Sequence, residues 1–341
     1  MAKINLLTIQ WGVSYGALFQ TYATCRILEN CGHEVTLINL VHPAKLKQYK
    51  SLKSLSHYVY ENSFEKFKKK YFPKMTKIMT VINPSLIPPA DYTIVGSDQV
   101  WNHDITTVLG LNFFLDFAPE CSKRISLASS FGKSKWSEDE EYSEKVKKEL
   151  QKFSDVSVRE DSGVRICKDI FGVNAMQVID PTLAYGDFAS LVKSKKEYNE
   201  IFTFLFRNNS EDIEIVNEIS RVLDIPVHQD SRLLYRFRNA PIYWLNHICN
   251  SKFIITSSFH GLAFSLIFKK QFVVLCADEG KFSRIASLLE LVGLSERYIP
   301  SLDYLTEHPE ILSQEIDYKL VDIIIAKQRK LFLDFVSNNI K

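Results

Sequence analysis

Two segments of the chain carry polar side chains directly after apolar runs, and their residue types fit acid–base chemistry. The first is Val95-Gly-Ser-Asp-Gln-Val-Trp-Asn102, in which the carboxylate of Asp98 could take a proton from a sugar hydroxyl. The second is Ile255-Thr-Ser-Ser-Phe-His-Gly261, in which His260 could act as a general acid or base near neutral pH. Each also has a structural interpretation, with Asp98 as a helix cap and His260 as a hydrogen-bonded residue of a strand–helix junction.

The residues around Asp98 and His260 are candidate substrate ligands. Trp101 is either a platform for one face of a sugar ring or a core residue. The junction before His260 offers helix N–H groups to an anion. The candidates are Ser97, Gln99, Trp101 and Asn102 in the first segment, and Ser257, Ser258 and Gly261 in the second.

A glycine-containing turn joins the first predicted strand to the first helix, in Trp11-Gly-Val-Ser-Tyr-Gly-Ala17. Glycines let backbone N–H groups approach an anion at the helix N-terminus, which makes Gly12, Tyr15 and Gly16 candidate ligands. The spacing is not that of a dinucleotide fingerprint, and a tight turn without a ligand is the alternative.

Three cationic side chains could bind an anionic substrate. Arg159 emerges from a buried strand, so it either pairs with Glu160 or another buried acid, or receives a phosphate or carboxylate in its planar fork. Lys281 and Arg284 lie just past a later strand and either line the site or belong to a solvated face.

The elements that must position these residues alternate between buried strands and helices. A strand at Ile4–Thr8, a helix at Ala17–Cys31 and a strand at Val35–Leu40 make a βαβ opening, which implies a parallel sheet. The pattern restarts after Asp180-Pro-Thr182. We therefore predict two Rossmann-like, doubly wound α/β domains that face each other across a cleft. The predicted boundaries are residues 1–184 with a Lys-rich helical insert at about 43–80, residues 185–312, and a C-terminal helix at 313–341 that packs on the first domain.

Composition narrows the class of protein. The 341 residues are 46% hydrophobic and 24% charged, with a net charge of +2, which is typical of a soluble globular protein and predicts no nucleic-acid partner. The six cysteines have neither CxxC nor zinc-ligand spacing, so no metal site is predicted, and no signal peptide or transmembrane segment is evident. These features predict a cytoplasmic protein. The Lys-rich insert is either a solvated helix face or a peripheral contact with the inner face of the membrane.

Six motifs, in their order along the chain, resemble those of the polysaccharide pyruvyl transferase family. They are Tyr15-Gly-Ala-Leu-Phe-Gln-Thr-Tyr-Ala23, Val95–Asn102, Ala128-Ser-Ser-Phe-Gly132, Ser157-Val-Arg-Glu160, Ile179-Asp-Pro-Thr182 and Thr256-Ser-Ser-Phe-His-Gly261. The resemblance implies a fold similar to B-type glycosyltransferases and transfer of a pyruvyl group from phosphoenolpyruvate to a sugar. The product would be a ketal, with phosphate released and no cofactor. The implied acceptor belongs to a surface polysaccharide such as an exopolysaccharide or capsule, or to its lipid-linked or nucleotide-linked precursor.

The resemblance also implies roles for three residues. Family members have an arginine at the position of Arg159 and a histidine at the position of His260, thought to hold phosphoenolpyruvate or assist its chemistry. We expect His260 to act as the acid, Asp98 as the base or a sugar ligand, and Arg159 as the clamp on phosphate or carboxylate. The roles of His260 and Asp98 could be exchanged. Some members carry an arginine where this sequence has Ser258, for which Lys281 or Arg284 could compensate.

Two other functions would fit the same sequence pattern. A nucleotide-sugar-dependent glycosyltransferase of the B-type fold would bind a nucleoside diphosphate and would not depend on phosphoenolpyruvate. A non-catalytic assembly or carrier-binding protein would tolerate changes at His260 and Asp98. The sequence predicts no particular oligomeric state.

Overall fold

The computed structural model of the protein describes residues 1–46, 52–193, 196–206, 209–228, 239–275 and 279–341. The chain forms two compact units, Met1–Tyr185 with Lys327–Lys341, and Gly186–Ala326. Each unit contains a parallel sheet, and the sheets have seven and four strands among the described residues. The predicted α/β class is thus confirmed.

The first unit is built on a parallel sheet of the order β3-β2-β1-β4-β5-β6-β7. The strand order reverses beside β1, and in open sheets of this kind ligands bind at the carboxyl ends of the strands near that reversal. The strands are β1 (Lys3–Leu7), β2 (Glu34–Leu37), β3 (Lys74–Met75), β4 (Tyr92–Val95), β5 (Lys123–Ser129), β6 (Phe153–Val158) and β7 (Met176–Gln177).

Helices and 3₁₀ turns connect these strands. They are α1 (Tyr15–Asn30), α2 (Leu52–Tyr71), α3 (His103–Thr106), α4 (Glu140–Leu150), α5 (Asp161–Asp169) and α6 (Pro181–Tyr185), with 3₁₀ turns at Pro43–Leu46, Pro84–Leu86 and Thr107–Phe114.

The local sequence explains where helix α1, which follows the candidate glycine turn, begins and ends. It begins after Ser14, whose hydroxyl accepts a hydrogen bond from the N–H of Ala17. It ends at Asn30, and Gly32, with a φ of 86°, turns the chain so that the His33 N–H reaches the carbonyl of Leu28. The start of this helix fixes where the glycine turn of residues 12–16 lies.

The second unit contains a four-stranded parallel sheet of the order β11-β10-β8-β9. The strands are β8 (Tyr198–Phe204), β9 (Val227–His228), β10 (Ser251–Thr256) and β11 (Gln271–Val274). The helices are α7 (Ser210–Leu223), α8 (Ala240–Asn250), α9 (Phe259–Ile267), α10 (Glu279–Val292), α11 (Leu302–Glu307) and α12 (Glu310–Ser313). The C-terminal helix α13 (Tyr318–Asn339) begins in this unit, and its residues from Lys327 onward belong to the first.

The Lys-rich insert contains helix α2, while residues 47–51 lie outside the described part of the chain. Phe67 on this helix is buried and packs edge-on against Phe19 of α1, with ring centroids 5.6 Å apart. Lys66, Lys69 and Lys70 are exposed, so the helix has one packed face and one solvated basic face. In the described parts of the chain, no helix is both long enough and apolar enough to span a membrane.

Candidate active site

Polar side chains gather at the carboxyl ends of the strands in the first unit. Because the strands are parallel, the residues that follow β4, β6 and β7 emerge at one edge of the sheet. Asp98, Arg159 and Asp180 follow these three strands. The negative charges of Asp180 and Asp98 act on Arg159 to raise the pKa of its guanidinium. The structure therefore brings together residues that are far apart in the sequence.

Arg159 is held between two carboxylates. Its Nε donates to Oε1 of Glu160 at 2.9 Å, and its Nη1 donates to Oδ2 of Asp180 at 2.8 Å. The arginine is 5% exposed and Asp180 is 1% exposed, so this is a buried ion-pair network. Of the two predicted environments for Arg159, pairing with acids is the one observed.

Neighbouring carboxylates keep the Arg159 guanidinium positively charged. Burial alone would lower the pKa of the guanidinium, but Glu160, Asp180 and Asp98 outweigh burial and hold that pKa above its ordinary value. Three acids around one arginine leave an excess of negative charge when all are ionised. Such a site favours hydroxyl groups and cations over a phosphate approaching Arg159.

Asp180 is a central residue that the predicted site omitted. Its Oδ1 accepts hydrogen bonds from the N–H and the hydroxyl of Thr182, at 2.9 and 2.6 Å, at the start of α6. Its Oδ2 accepts from Arg159, and the Ser97 hydroxyl lies 3.4 Å away. An Asp-Pro-Thr sequence after an apolar strand was the available signal, because Asp before a Pro-initiated helix is a typical cap.

Asp98 is positioned by its backbone. Its φ is 73°, in the left-handed region that Asp and Asn tolerate better than most residues. Its carbonyl accepts from the N–H groups of Val100 and Ser130, at 2.8 and 3.0 Å, and its Oδ1 accepts from the Gln99 N–H at 2.9 Å. Asp98 is half-buried and does not cap a helix; the cap of α3 is Asn102.

Gln99 and Asn102 hydrogen-bond each other in the loop after β4, which approaches the loop after β5 closely. The Asn102 side chain donates to Oε1 of Gln99 at 2.9 Å and accepts from the Asp104 N–H at 3.1 Å. Gly132 makes this approach possible, since a Cβ there would lie 2.1 Å from Oε1 of Gln99. Both predicted sugar ligands therefore have structural partners in this loop pair.

Trp101 is not a sugar platform. It is 2% exposed, its ring stacks on Phe114 with centroids 5.3 Å apart, and its indole N–H donates to the Phe113 carbonyl at 2.9 Å. The prediction of Trp101 as a substrate ligand is wrong, because the apolar ring stabilises more when it is packed in the core. Ser97, which is fully buried, likewise offers no exposed hydroxyl to a ligand.

The glycine turn after β1 keeps one of its three candidates accessible. Gly12 has a φ of 78°, and no atom of the described residues lies within 4 Å of the place a Cβ would take. Tyr15 is buried and its hydroxyl lies 2.8 Å from that of Tyr60 on α2, while Gly16 is buried in the first turn of α1. The Tyr15 hydroxyl therefore joins two helices, and the use of Tyr15 as a ligand stays a prediction.

Gln20 is a second residue that the prediction missed. It is fully buried, and its side-chain amide nitrogen lies within hydrogen-bond distance of the Ile9 and Ala17 carbonyls and of the Thr8 hydroxyl, at 3.2, 3.0 and 3.0 Å. Thr8 in turn donates to the Ser97 carbonyl at 2.8 Å. These contacts connect the glycine turn to the loop that carries Asp98.

The candidate site of the second unit lies at the β10–α9 junction. Ser258 precedes α9, and half-buried His260 is in the first turn of that helix. The N–H groups of a first helical turn have no partner within the helix, and the helix dipole favours an anion there. The Ser257 hydroxyl accepts from the Phe206 N–H at 2.8 Å, and the Ser258 N–H donates to the Thr256 hydroxyl at 3.1 Å. Both serines therefore help to shape the junction.

Gly261 permits the strand and helix to approach closely, so Gly261→Ala is expected to destabilise the second unit by about 1–3 kcal/mol. A Cβ at this position would lie 2.1 Å from Oγ1 of Thr256. That hydroxyl also donates to the Phe204 carbonyl at 2.9 Å, so it cannot rotate away without losing bonds. The strain exceeds the gain of about 1 kcal/mol from alanine in a helix. Urea unfolding checks this, and equal or higher stability would contradict it.

The two cationic candidates after β11 lie on α10. Arg284 is half-buried within this helix. The side chain of Lys281 lies outside the described part of the structure. The predicted compensation for the missing arginine at Ser258 stays a prediction.

Comparisons with known proteins agree with the fold and identify the family. A family model for polysaccharide pyruvyl transferase matches residues 15–275, whereas no curated protein matches the sequence. A putative UDP-N-acetylglucosamine 2-epimerase from Listeria monocytogenes is 11% identical, with a TM-score of 0.52 and coverage of 98% of this chain and 96% of that one. MnaA of S. aureus, solved with UDP, is 12% identical, with a TM-score of 0.50 and coverage of 99% and 96%.

An uncharacterized protein from Klebsiella pneumoniae is 13% identical, with a TM-score of 0.50 and coverage of 87% of this chain and 93% of that one. At such identities the structures share the fold alone. The family model, in contrast, spans most of the chain and includes Asp98, Arg159 and His260. The chain belongs to the polysaccharide pyruvyl transferase family.

Proposed function

We propose that the protein transfers a pyruvyl group from phosphoenolpyruvate to a sugar of a surface polysaccharide or its precursor, forming a ketal and releasing phosphate. The observation that carries the proposal is the position of two proton-transfer groups within the family-matched residues. Asp98 and His260 are each half-buried and each follow the carboxyl end of a parallel strand, where α/β proteins bind ligands. A carboxylate and an imidazole are the groups that the reaction needs.

The reaction moves two protons: two are removed from sugar hydroxyls, one is delivered to the methylene carbon of phosphoenolpyruvate and one leaves with phosphate. Protonation of the methylene carbon of phosphoenolpyruvate creates an oxocarbenium-like centre at the neighbouring carbon. One sugar hydroxyl adds to that carbon and loses its proton. A second hydroxyl then displaces phosphate, which leaves with the remaining proton, so that a ketal bridges the two sugar oxygens.

His260 is the proposed acid in this sequence. It lies in the first turn of α9, where backbone N–H groups and the helix dipole would hold the phosphate or carboxylate of the donor. Asp98 is the proposed base or sugar ligand.

Arg159 has a different proposed role from the clamp that the family resemblance implies. Two of its nitrogens already donate to Glu160 and Asp180, and an incoming phosphate would be repelled by both acids. We propose that Arg159 keeps Glu160 and Asp180 in place and reduces their electrostatic repulsion of the Asp98 carboxylate. The half-buried carboxylate of Asp98 would then accept hydrogen bonds from sugar hydroxyls.

The remaining features of the proposed reaction concern its setting. We propose that it takes place in the cytoplasm, on an acceptor that is free, lipid-linked or nucleotide-linked, and that no resident cofactor takes part. The exposed lysines of α2 would support, at most, a peripheral contact with an anionic membrane surface.

The experiment that tests the donor compares two labels on one panel of glycan acceptors. Protein is incubated with phosphoenolpyruvate labelled in its carbon chain, or with nucleotide sugars labelled in the sugar. Label from phosphoenolpyruvate is expected in the glycan, with one phosphate released per transfer and a mass gain of one pyruvate less one water. Transfer from a nucleotide sugar and none from phosphoenolpyruvate would establish a glycosyltransferase instead.

A further inference from the structure

Two imidazoles and one carboxylate converge in the second unit, away from the residues proposed for pyruvyl transfer. They belong to Glu200 of β8, His228 of β9 and His247 of α8. One nitrogen or oxygen of each lies within 4.8 Å of the others. Oε2 of Glu200 is 3.1 Å from Nδ1 of His228, and its Oε1 is 2.6 Å from Nδ1 of His247. Each carboxylate oxygen thus has one imidazole nitrogen beside it.

The fold explains this convergence. Phe202 is the register partner of His228, and side chains two residues apart on a strand share a face, so Glu200 and His228 lie on the same side of the sheet. Helix α8 brings His247 onto that side, where its ring stacks on His228 with centroids 4.3 Å apart. Three separate elements therefore supply one group each.

We propose that Glu200, His228 and His247 bind a divalent transition-metal ion, with Zn²⁺ as the best fit. Two imidazoles and a carboxylate are a known protein ligand set for Zn²⁺, completed by a water. Bonds of about 2.0–2.1 Å in a tetrahedron separate neighbouring ligand atoms by about 3.3 Å. With Oε2 of Glu200 as the carboxylate ligand, its 3.1 Å separation from Nδ1 of His228 is close to this value. One ligand atom of each of the three residues lies within 4.8 Å of the others, so small side-chain movements would complete the site.

The surroundings of the cluster suit a metal site. The side chains of His228, Glu200 and His247 are 22%, 17% and 9% exposed, so water can reach a fourth position. The Ser251 hydroxyl donates to Oε1 of Glu200 at 3.0 Å, and the Tyr243 hydroxyl lies 3.5 Å from Nε2 of His228. Outer partners of this kind orient metal ligands and fix the tautomer of a ligating histidine.

The proposed ion would stabilise the folded second unit. It would join β8, β9 and α8, whereas the His260 segment follows the carboxyl end of a different strand, β10. Binding to the folded state alone raises its stability by mass action. At a free Zn²⁺ concentration about 100 times Kd, we expect the Tm to rise by about 5 °C.

The test is a Zn²⁺ titration of full-length, untagged, chelator-treated protein against a chromogenic chelator. One Zn²⁺ per chain is expected, with nitrogen and oxygen but no sulfur in its X-ray absorption shell. Glu200→Gln and His247→Gln should each weaken binding by about 100-fold or more, beyond the usual effect of outer-shell changes. His308→Gln is the control, because His308 is an exposed histidine of the same unit.

Three results would overturn the proposal. The first is no saturable Zn²⁺ binding by the unsubstituted protein, which would identify the cluster as a carboxylate that only hydrogen-bonds two imidazoles. The second is binding through sulfur. The third is binding unchanged in both variants. If either variant fails to fold, the stoichiometry and absorption shell of the unsubstituted protein still decide.

Discussion

Asp98→Asn is expected to lower the turnover number for pyruvyl transfer by about 100- to 10,000-fold while leaving the fold intact. Asparagine tolerates the φ of 73° at this position, and its Oδ1 can still accept the hydrogen bond from the Gln99 N–H. The substitution therefore removes the negative charge and the proton-accepting group and little else. The measurement is the initial rate of phosphate release from phosphoenolpyruvate with acceptor present.

His260→Asn should reduce the same rate by a comparable factor, because it removes the proposed acid. Its matched control is His308→Asn, which changes an exposed histidine in the same unit and should leave the rate unaltered.

A control for the Asp98→Asn prediction is Asp98→Ala, which removes the carboxylate and also strains the backbone. Alanine in the left-handed region costs about 1–2 kcal/mol in stability, so comparing the two variants separates the loss of the carboxylate from the change in backbone conformation. More than a tenth of normal turnover in Asp98→Asn would rule out Asp98 as the base.

Arg159→Met is expected to destabilise the first unit by about 3–5 kcal/mol, because it leaves two carboxylates without their partner. The side chain of Asp180 is fully buried, and that of Glu160 is 8% exposed, so water cannot replace the lost guanidinium. The loss is measured by urea unfolding. Adding Asp180→Asn should recover part of it, since one of the two uncompensated charges is then removed.

The matched control for Arg159 is Arg165→Met. Arg165 pairs with Asp161 on the surface, where both side chains are more than half exposed. Exposed pairs contribute about 0–1 kcal/mol, so this variant should unfold almost like the unsubstituted protein. Equal losses for Arg159→Met and Arg165→Met would show that the buried network has no special role.

The hydrophobic pattern predicted most of the fold. The strands and helix of the βαβ opening, the new series of strands and helices after Thr182 and the C-terminal helix are all present. Their boundaries differ from the predicted ones by a few residues. The reason is that buried parallel strands need continuous apolar runs, and these are visible in a single sequence. The positions of Asp98, Arg159 and His260 after strand ends could be predicted for the same reason.

The hydrogen-bond and ion-pair partners of individual side chains could not be predicted, because they depend on the tertiary structure. The sequence allowed Arg159 to pair with Glu160, its neighbour, but gave no distance to Asp180, which is 21 residues away. Trp101 was assigned to a ligand although its indole N–H has a backbone partner in the core. The cluster of Glu200 and His247 spans 47 residues and follows no ligand spacing, so the sequence predicted no metal site.

Equilibrium titration of the protein with phosphoenolpyruvate, beside a parallel titration with UDP, tests the proposed donor most directly and needs no acceptor. The account predicts saturable binding of one phosphoenolpyruvate per chain, weakened about 10- to 100-fold by His260→Ala through the loss of a charged hydrogen bond. UDP should not bind tightly. No binding at millimolar phosphoenolpyruvate, together with tight binding of UDP, would contradict pyruvyl transfer and indicate a nucleotide-sugar donor.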